Sequence, residues 1–100
     1  MGVFVLASVR FRDRARYDAY QARFAGVFAG CGGTVLAADE APLRFEGDDS
    51  PDKIVLMQFD SLDQASGFLL SEEYQTISRD REAGAVTTTH LIRALDPPIR

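Results

Sequence analysis

Tryptophan is absent from this chain of 100 residues, and cysteine and histidine occur once each, as Cys31 and His90. A lone cysteine closes no internal disulfide, and one thiol with one imidazole makes no nitrogen-and-sulfur cage, so no metal site is expected. No Ser-His-Asp order, phosphate-cradling glycine loop or paired-carboxylate arrangement can be assembled from the remaining residues, and no cofactor is expected either. No apolar run approaches the roughly 18 residues of a membrane helix. The segment from Met1 to Ser8 is short and lacks the basic start of a signal peptide. The expectation is therefore a cytoplasmic protein that does not enter a membrane. Basic residues number 11 against 15 acidic ones, for a net charge of −4. They are spread from Arg10 to Arg100 rather than gathered into a patch, which argues against nucleic acid as a partner.

What is present suits one compact core. Hydrophobic residues make up 46% and charged residues 26% of the chain, enough to close a single domain over residues 1–100 and no second one. From Val3 to Phe11 the sequence alternates as a strand, with Val3, Val5, Ala7, Val9 and Phe11 on one face and Phe4, Leu6, Ser8 and Arg10 on the other. Asp13 is a good N-cap for an amphipathic helix from about Arg14 to Ala29, carrying Tyr17, Tyr20, Phe24, Val27 and Phe28 at spacings of three and four. Gly30, Gly32 and Gly33 stop it. Thr34 to Ala38 and Leu43 to Gly47 read as two halves of one strand, interrupted by a bulge or edge around Asp39 to Pro42. A polar turn over Asp48 to Asp52 leads into a strand from Lys53 to Phe59, so the second and third strands form a hairpin. Asp60 or Ser61 caps a helix bearing Leu62, Ala65, Phe68 and Leu69, which breaks near Ser71 and resumes through Tyr74, Ile77 and Ser78. Ala85 to Leu95 is the last strand, ended by Pro97 and Pro98.

The order β-α-β-β-α-β predicts an α+β fold of ferredoxin-like type: a four-stranded antiparallel sheet with both helices on one face. The other face then carries Phe4, Leu6, Ile54 and Leu56 as a contiguous apolar patch, which monomeric proteins seldom leave open. A homodimer, with two sheets facing each other around a cavity, covers it.

Asp13-x-x-x-Tyr17-x-x-Tyr20, Gly32-Gly33, Glu46-Gly47, a strand ending in Gln58-Phe59, and Ser71-Glu72-Glu73-Tyr74-Gln75 occur in this order. Together they resemble domain-of-unknown-function family 1330, within the dimeric α+β-barrel superfamily, from about Val3 to Leu95. The resemblance implies a dimeric α+β barrel. The superfamily includes cofactor-free monooxygenases acting on aromatic polyketides, muconolactone isomerases and stress-responsive barrels. This chain departs from its common pattern with Ser8 in place of asparagine, Gln58 in place of glutamate and Phe68 in place of tryptophan. Arg81 matches an arginine that follows the Ser-x-x-Tyr segment, whereas Thr87-Thr88-Thr89-His90 does not match the usual last strand.

Six polar residues are candidates for a site. Ser8 and Arg10 share a strand face with Phe4 and Leu6, and Gln58 is expected to join them, giving a mostly apolar cavity with few polar groups, suited to a small organic ligand. The plainer account has Ser8 and Gln58 hydrogen-bonded to each other or to water at a dimer interface. An imidazole is the side chain best suited to act as general base at neutral pH, which makes His90 the catalytic candidate. It alternates with Val86, Thr88 and Ile92, and a structural or exposed histidine is the plainer account. Arg44, Glu46 and Arg81 are a candidate charged cluster at a cavity mouth, where an arginine fork binds a carboxylate. Surface ion pairing is the plainer account. Tyr17, Tyr20 and Tyr74 read as core or rim, with packed rings and wet oxygens. Cys31, just past a helix C-terminus, lies where the helix dipole disfavours a thiolate.

Two functions follow. The first is a cofactor-independent enzyme of oxygenase, isomerase or cyclase type, holding a small aromatic or carbonyl compound between sheet and helices with His90, Ser8, Gln58 or Arg10 orienting it. The second is a non-catalytic small-molecule-binding or stress-associated dimer. Native mass spectrometry of the intact protein is expected to show a dimer, and a discrete retained mass identifies a ligand. A stable monomer overturns the two-sheet arrangement.

Overall fold

A computed structural model describes residues 2–100. The chain runs β1 (Val3–Phe11), α1 (Arg14–Phe28), β2 (Thr34–Asp39), β3 (Lys53–Phe59), α2 (Leu62–Leu69), α3 (Glu72–Gly84) and β4 (Ala85–Arg93). The four strands form one antiparallel sheet in the order β2-β3-β1-β4, the ferredoxin-like arrangement that the element order predicts.

Strand β1 sits at the centre and sets the two faces. Opposite residues in an antiparallel pair share a face, and the registers Val5↔Met57 and Val5↔Leu91 put those three side chains on the face that meets the helices. Leu6↔Leu56 and Leu6↔His90 put the alternate set on the outer face. The core lies on the helix side, where Val5, Val9, Met57 and Phe59 pack against Tyr17, Tyr20, Phe68 and Ile77. Each large apolar side chain buried this way contributes about 1.5–3 kcal/mol.

The helices begin where short polar side chains can receive a free backbone N–H. Asp13 accepts from Arg16 N at 3.3 Å, Ser61 from Gln64 N at 3.1 Å and Ser71 from Tyr74 N at 3.2 Å. The second helical segment is thus two helices, broken at Ser71 as the sequence predicts. An aromatic seam joins the layers. Phe24 stacks on Phe28 at 5.1 Å between centroids, Phe28 meets Phe68 edge-on at 5.2 Å, and Phe68 lies 4.8 Å from Tyr74.

Two features of the second strand differ from the sequence expectation. Leu43 to Gly47 is irregular rather than a second half of β2. The Asp39 carboxylate accepts from Ala41 N at 2.8 Å and turns the chain, Pro42 follows, and β3 extends only one residue, Lys53, beyond the Asp39↔Ile54 pair, so no strand remains for Leu43 to Gly47 to pair with. Leu43 and Phe45 are consequently 96% and 95% exposed. The bulge comes earlier, between Val35 and Ala37. It reverses the alternation, so that Val35 and Ala38 both fall on the helix side and Glu40 follows them.

Gly84 closes the other end. Its carbonyl accepts from Arg12 N at 2.8 Å and Asp13 N at 3.0 Å, pinning the β1–α1 turn to the α3–β4 junction. A Cβ there would stand 2.4 Å from Tyr17 N and 2.7 Å from Asp13 O, both backbone atoms without freedom to move aside. Gly84→Ala is expected to destabilise the fold by about 1–3 kcal/mol, read as a lower midpoint in urea unfolding. An unchanged midpoint would show that α1 and α3 can separate at no cost.

Candidate functional site

Between the sheet and the helices lies a cavity of about 530 Å³. Val5, Val9, Val55 and Met57 line it from the sheet, Tyr17, Tyr20 and Phe24 from α1, and Tyr74 and Arg81 from α3. Thr87 of β4 and Glu40, just past β2, complete the polar part of its wall.

Lys53 is the first unusual group. Alternation along β3 places it with Val55 and Met57, so a charged residue stands on the apolar face, 6% exposed. Its Nζ donates to Gln21 Oε1 at 2.6 Å, lies 3.6 Å from Glu40 Oε2 and sits 5.0 Å from the centre of the Tyr17 ring. Burial pushes the Lys53 ammonium below its ordinary pKa, with the Glu40 carboxylate acting against it. Both Glu40 oxygens also accept from Arg14 Nη2 at 2.9 Å, which holds that carboxylate at the cavity edge.

Two of the tyrosines are not wet. Tyr20 and Tyr74 hydroxyls bond to each other at 3.0 Å, and both residues are buried. Burial raises the Tyr17 pKa to about 12, with smaller contributions from Glu40 and Tyr74. Burial raises Tyr20 as well, reinforced by the neighbouring Tyr74 hydroxyl. Tyr17 and Tyr20 therefore keep their protons at neutral pH, and in the Tyr20–Tyr74 bond either hydroxyl can be the donor. Arg81 lies 5.9 Å from the centre of the Tyr20 ring. Its Nε and the Thr87 Oγ1 are buried without a hydrogen-bond partner. No group of histidine, cysteine, aspartate and glutamate able to hold a metal ion occurs among the described residues.

Residues 2–95 match the family described as Domain of unknown function (DUF1330). The chain belongs to this family. Among solved structures, this DUF1330 chain is similar to a protein of unknown function from Rhodopseudomonas palustris, with a TM-score of 0.79 at 20% identity, covering 94% of this chain and 82% of that one. It is also similar to SnoaB, a cofactor-independent oxygenase from Streptomyces nogalater, with a TM-score of 0.68 at 17% identity over 94% and 93% of the two chains. A dimeric protein of ferredoxin-like fold from Bacteroides fragilis aligns with a TM-score of 0.64 at 10% identity over 92% and 95%. No curated protein matches the sequence. These likenesses establish the ferredoxin-like α+β fold.

Of the six residues singled out in the DUF1330 sequence, Arg81 lines the cavity. Ser8, Gln58 and His90 lie on the outer face, His90 opposite Leu6, Ser8 opposite Ile54 and Gln58 opposite Phe4. Ser8 and Gln58 are thus at opposite ends of that face. Arg10 pairs with Asp49 and donates to Ser50 O at 3.0 Å, and Arg44 donates to Ser50 Oγ at 3.1 Å, both in the loop before β3. Arg44, Glu46 and Arg81 share no ion pair among the described residues, and Arg81 instead lies 4.0 Å from Glu82. Lys53, Tyr17, Tyr20, Tyr74 and Thr87 form a polar wall that lies outside those six. A signal for Lys53 exists in the sequence: it is the charged member of an otherwise apolar alternating set. No helix among the described residues is long and apolar enough to cross a membrane.

The raised pKa of Tyr17 fixes a sign for alkaline stability. The unfolded chain releases this proton near 10.0 while the folded one holds it to about 12, so above pH 10.0 the native state binds more protons. Its contribution to stability is then lost as pH rises from 10.0 through about 12. Unfolding midpoints measured across that window are expected to fall, and Tyr17→Phe to flatten the fall. Equal slopes in the two proteins would show that Tyr17 ionises freely.

Proposed function

We propose that this protein acts on a small organic carbonyl compound held between sheet and helices, by proton abstraction next to the carbonyl. The buried Lys53 amine in an apolar-walled cavity carries this reading. In its neutral form Nζ takes the proton from the carbon beside the carbonyl. The C–H bond breaks, its electron pair moves to the carbonyl oxygen, and a tyrosine O–H receives the enolate oxygen. Reprotonation from the resulting ammonium restores the carbonyl at the same or a neighbouring carbon. Enolate formation is a step shared by cofactor-independent oxygenation, isomerisation and cyclisation, and the fold's likeness to SnoaB, an oxygenase of that kind, supports the class. In this reading the reacting groups are Lys53 and the tyrosines, and Arg81 binds the substrate.

The outer sheet face belongs to the same proposal as the seat of a homodimer. Phe4, Leu6, Ile54 and Leu56 form a half-buried apolar band there, and the Bacteroides fragilis relative in fold is dimeric. Ser8, Gln58 and His90 then lie at or around the contact between copies.

A specific observation favours one further reading. Lys53 Nζ is already bonded to Gln21 and near Glu40, which suits a non-catalytic binder whose lysine is held as a fixed cation. Deuterium wash-in separates the two. In D2O the protein is expected to accelerate exchange of the acidic C–H of ring ketones such as 2-tetralone, and Lys53→Met to reduce that acceleration about 100-fold. Binding without any acceleration would leave the binder reading in place and overturn catalysis.

A further inference from the structure

Around this cavity the acceptors are spoken for and the donors are not. Gln21 Oε1 takes Lys53, and both Glu40 oxygens take Arg14. On the donor side, the Tyr20–Tyr74 bond uses one hydroxyl proton and leaves the other. Arg81 Nε is buried without a partner, as is the Thr87 hydroxyl. The only carboxylate near the Arg81 side chain among its ion pairs is Glu82, at 4.0 Å from Nη2 and 65% exposed, which leaves the Nε edge unengaged. A buried guanidinium edge without an acceptor is costly, and a neutral carbonyl supplies too few lone pairs to meet a guanidinium, a hydroxyl and a phenol together.

We infer that the compound held in this cavity is an organic acid bound as its carboxylate, received by the buried Nε edge of Arg81 and the Thr87 hydroxyl, with its apolar body against Val5, Val55 and Met57. This rests on the cavity being the ligand site, the reading proposed above, and adds the charge that the ligand carries. Two oxygens in one plane present about four lone-pair sites and match a guanidinium edge. With Glu40 paired to Arg14 and lying 3.6 Å from Lys53, the Arg81 guanidinium is the cation of the cavity wall that no carboxylate matches, in a protein whose net charge is −4, so the preference for an anion is local and not a property of the whole surface.

Isothermal titration of the intact protein with a matched pair, 2-naphthoate and 2-naphthamide, tests this at neutral pH. The two differ in charge at nearly constant shape. The carboxylate is expected to bind about tenfold more tightly or better. Arg81→Gln is expected to bring the two within about twofold by weakening the carboxylate most, and Thr87→Val to weaken the carboxylate more than the amide. Arg81→Lys, which keeps the charge without the fork, is expected to restore part of the preference. Thermal unfolding of each variant separates lost binding from lost fold. Equal binding of acid and amide by the wild type would overturn the carboxylate assignment and leave the cavity as the ligand site. Binding of neither would overturn both.

Discussion

Strand β1 is hydrogen-bonded on both sides, to β3 and to β4, through registers without a slip from Val3 to Val9. Because side chains on a strand point alternately to opposite faces, this double pairing assigns an address to nearly every residue of three strands at once. Odd-numbered positions of β1 turn toward the helices and even-numbered ones away. A slip of one residue would turn Leu6, Leu56 and His90 toward the helices and Val5, Met57 and Leu91 away from them. The apolar character of Val3, Val5, Val9, Met57 and Phe59 is what makes that slip expensive.

The cavity is the place where the core is not closed with hydrocarbon. Three tyrosines, a lysine and an arginine stand among valines and a methionine. Such groups weaken a core unless each finds a partner, and here most do: the Tyr20 and Tyr74 hydroxyls pair, Lys53 reaches Gln21, and Glu40 is held by Arg14. The bulge in β2 makes part of this possible, since the reversed alternation after Leu36 carries Glu40 to the side of Lys53. Arg81 and Thr87 remain as the exceptions. Gly84, by fixing the start of α1 against the end of α3, keeps the tyrosines of both helices at their spacing.

The two faces of the sheet differ in composition. One carries the helices and the cavity. The other carries the apolar band of Phe4, Leu6, Ile54 and Leu56 with Ser8, Gln58 and His90 set among it. Ser8, Gln58 and His90 stand out in the sequence as polar residues among apolar neighbours, yet that pattern is shared by ligand sites and interfaces alike.

Local pattern determined the elements of this protein. Alternation marks β1, β3 and β4, three-and-four spacing marks α1, and Asp13, Ser61 and Ser71 stand where helix caps are needed, so the β-α-β-β-α-β order and the ferredoxin-like sheet are legible in the sequence itself. Arg81 is legible as a candidate, and it is the one of the six that the fold brings to the cavity wall. Tyr20 and Tyr74 are not, because tyrosines at helical spacing look alike whether their hydroxyls meet water or each other, and the one signal for Lys53, a charge in an otherwise apolar alternating set, is shared with a lysine that opens a strand at an exposed end. Which face His90 occupies, where β2 bulges and why Leu43 to Gly47 leaves the sheet all depend on strand register. Register is a relation between segments far apart in the chain, decided by the packing of the whole sheet against its helices and carried by no single segment of sequence.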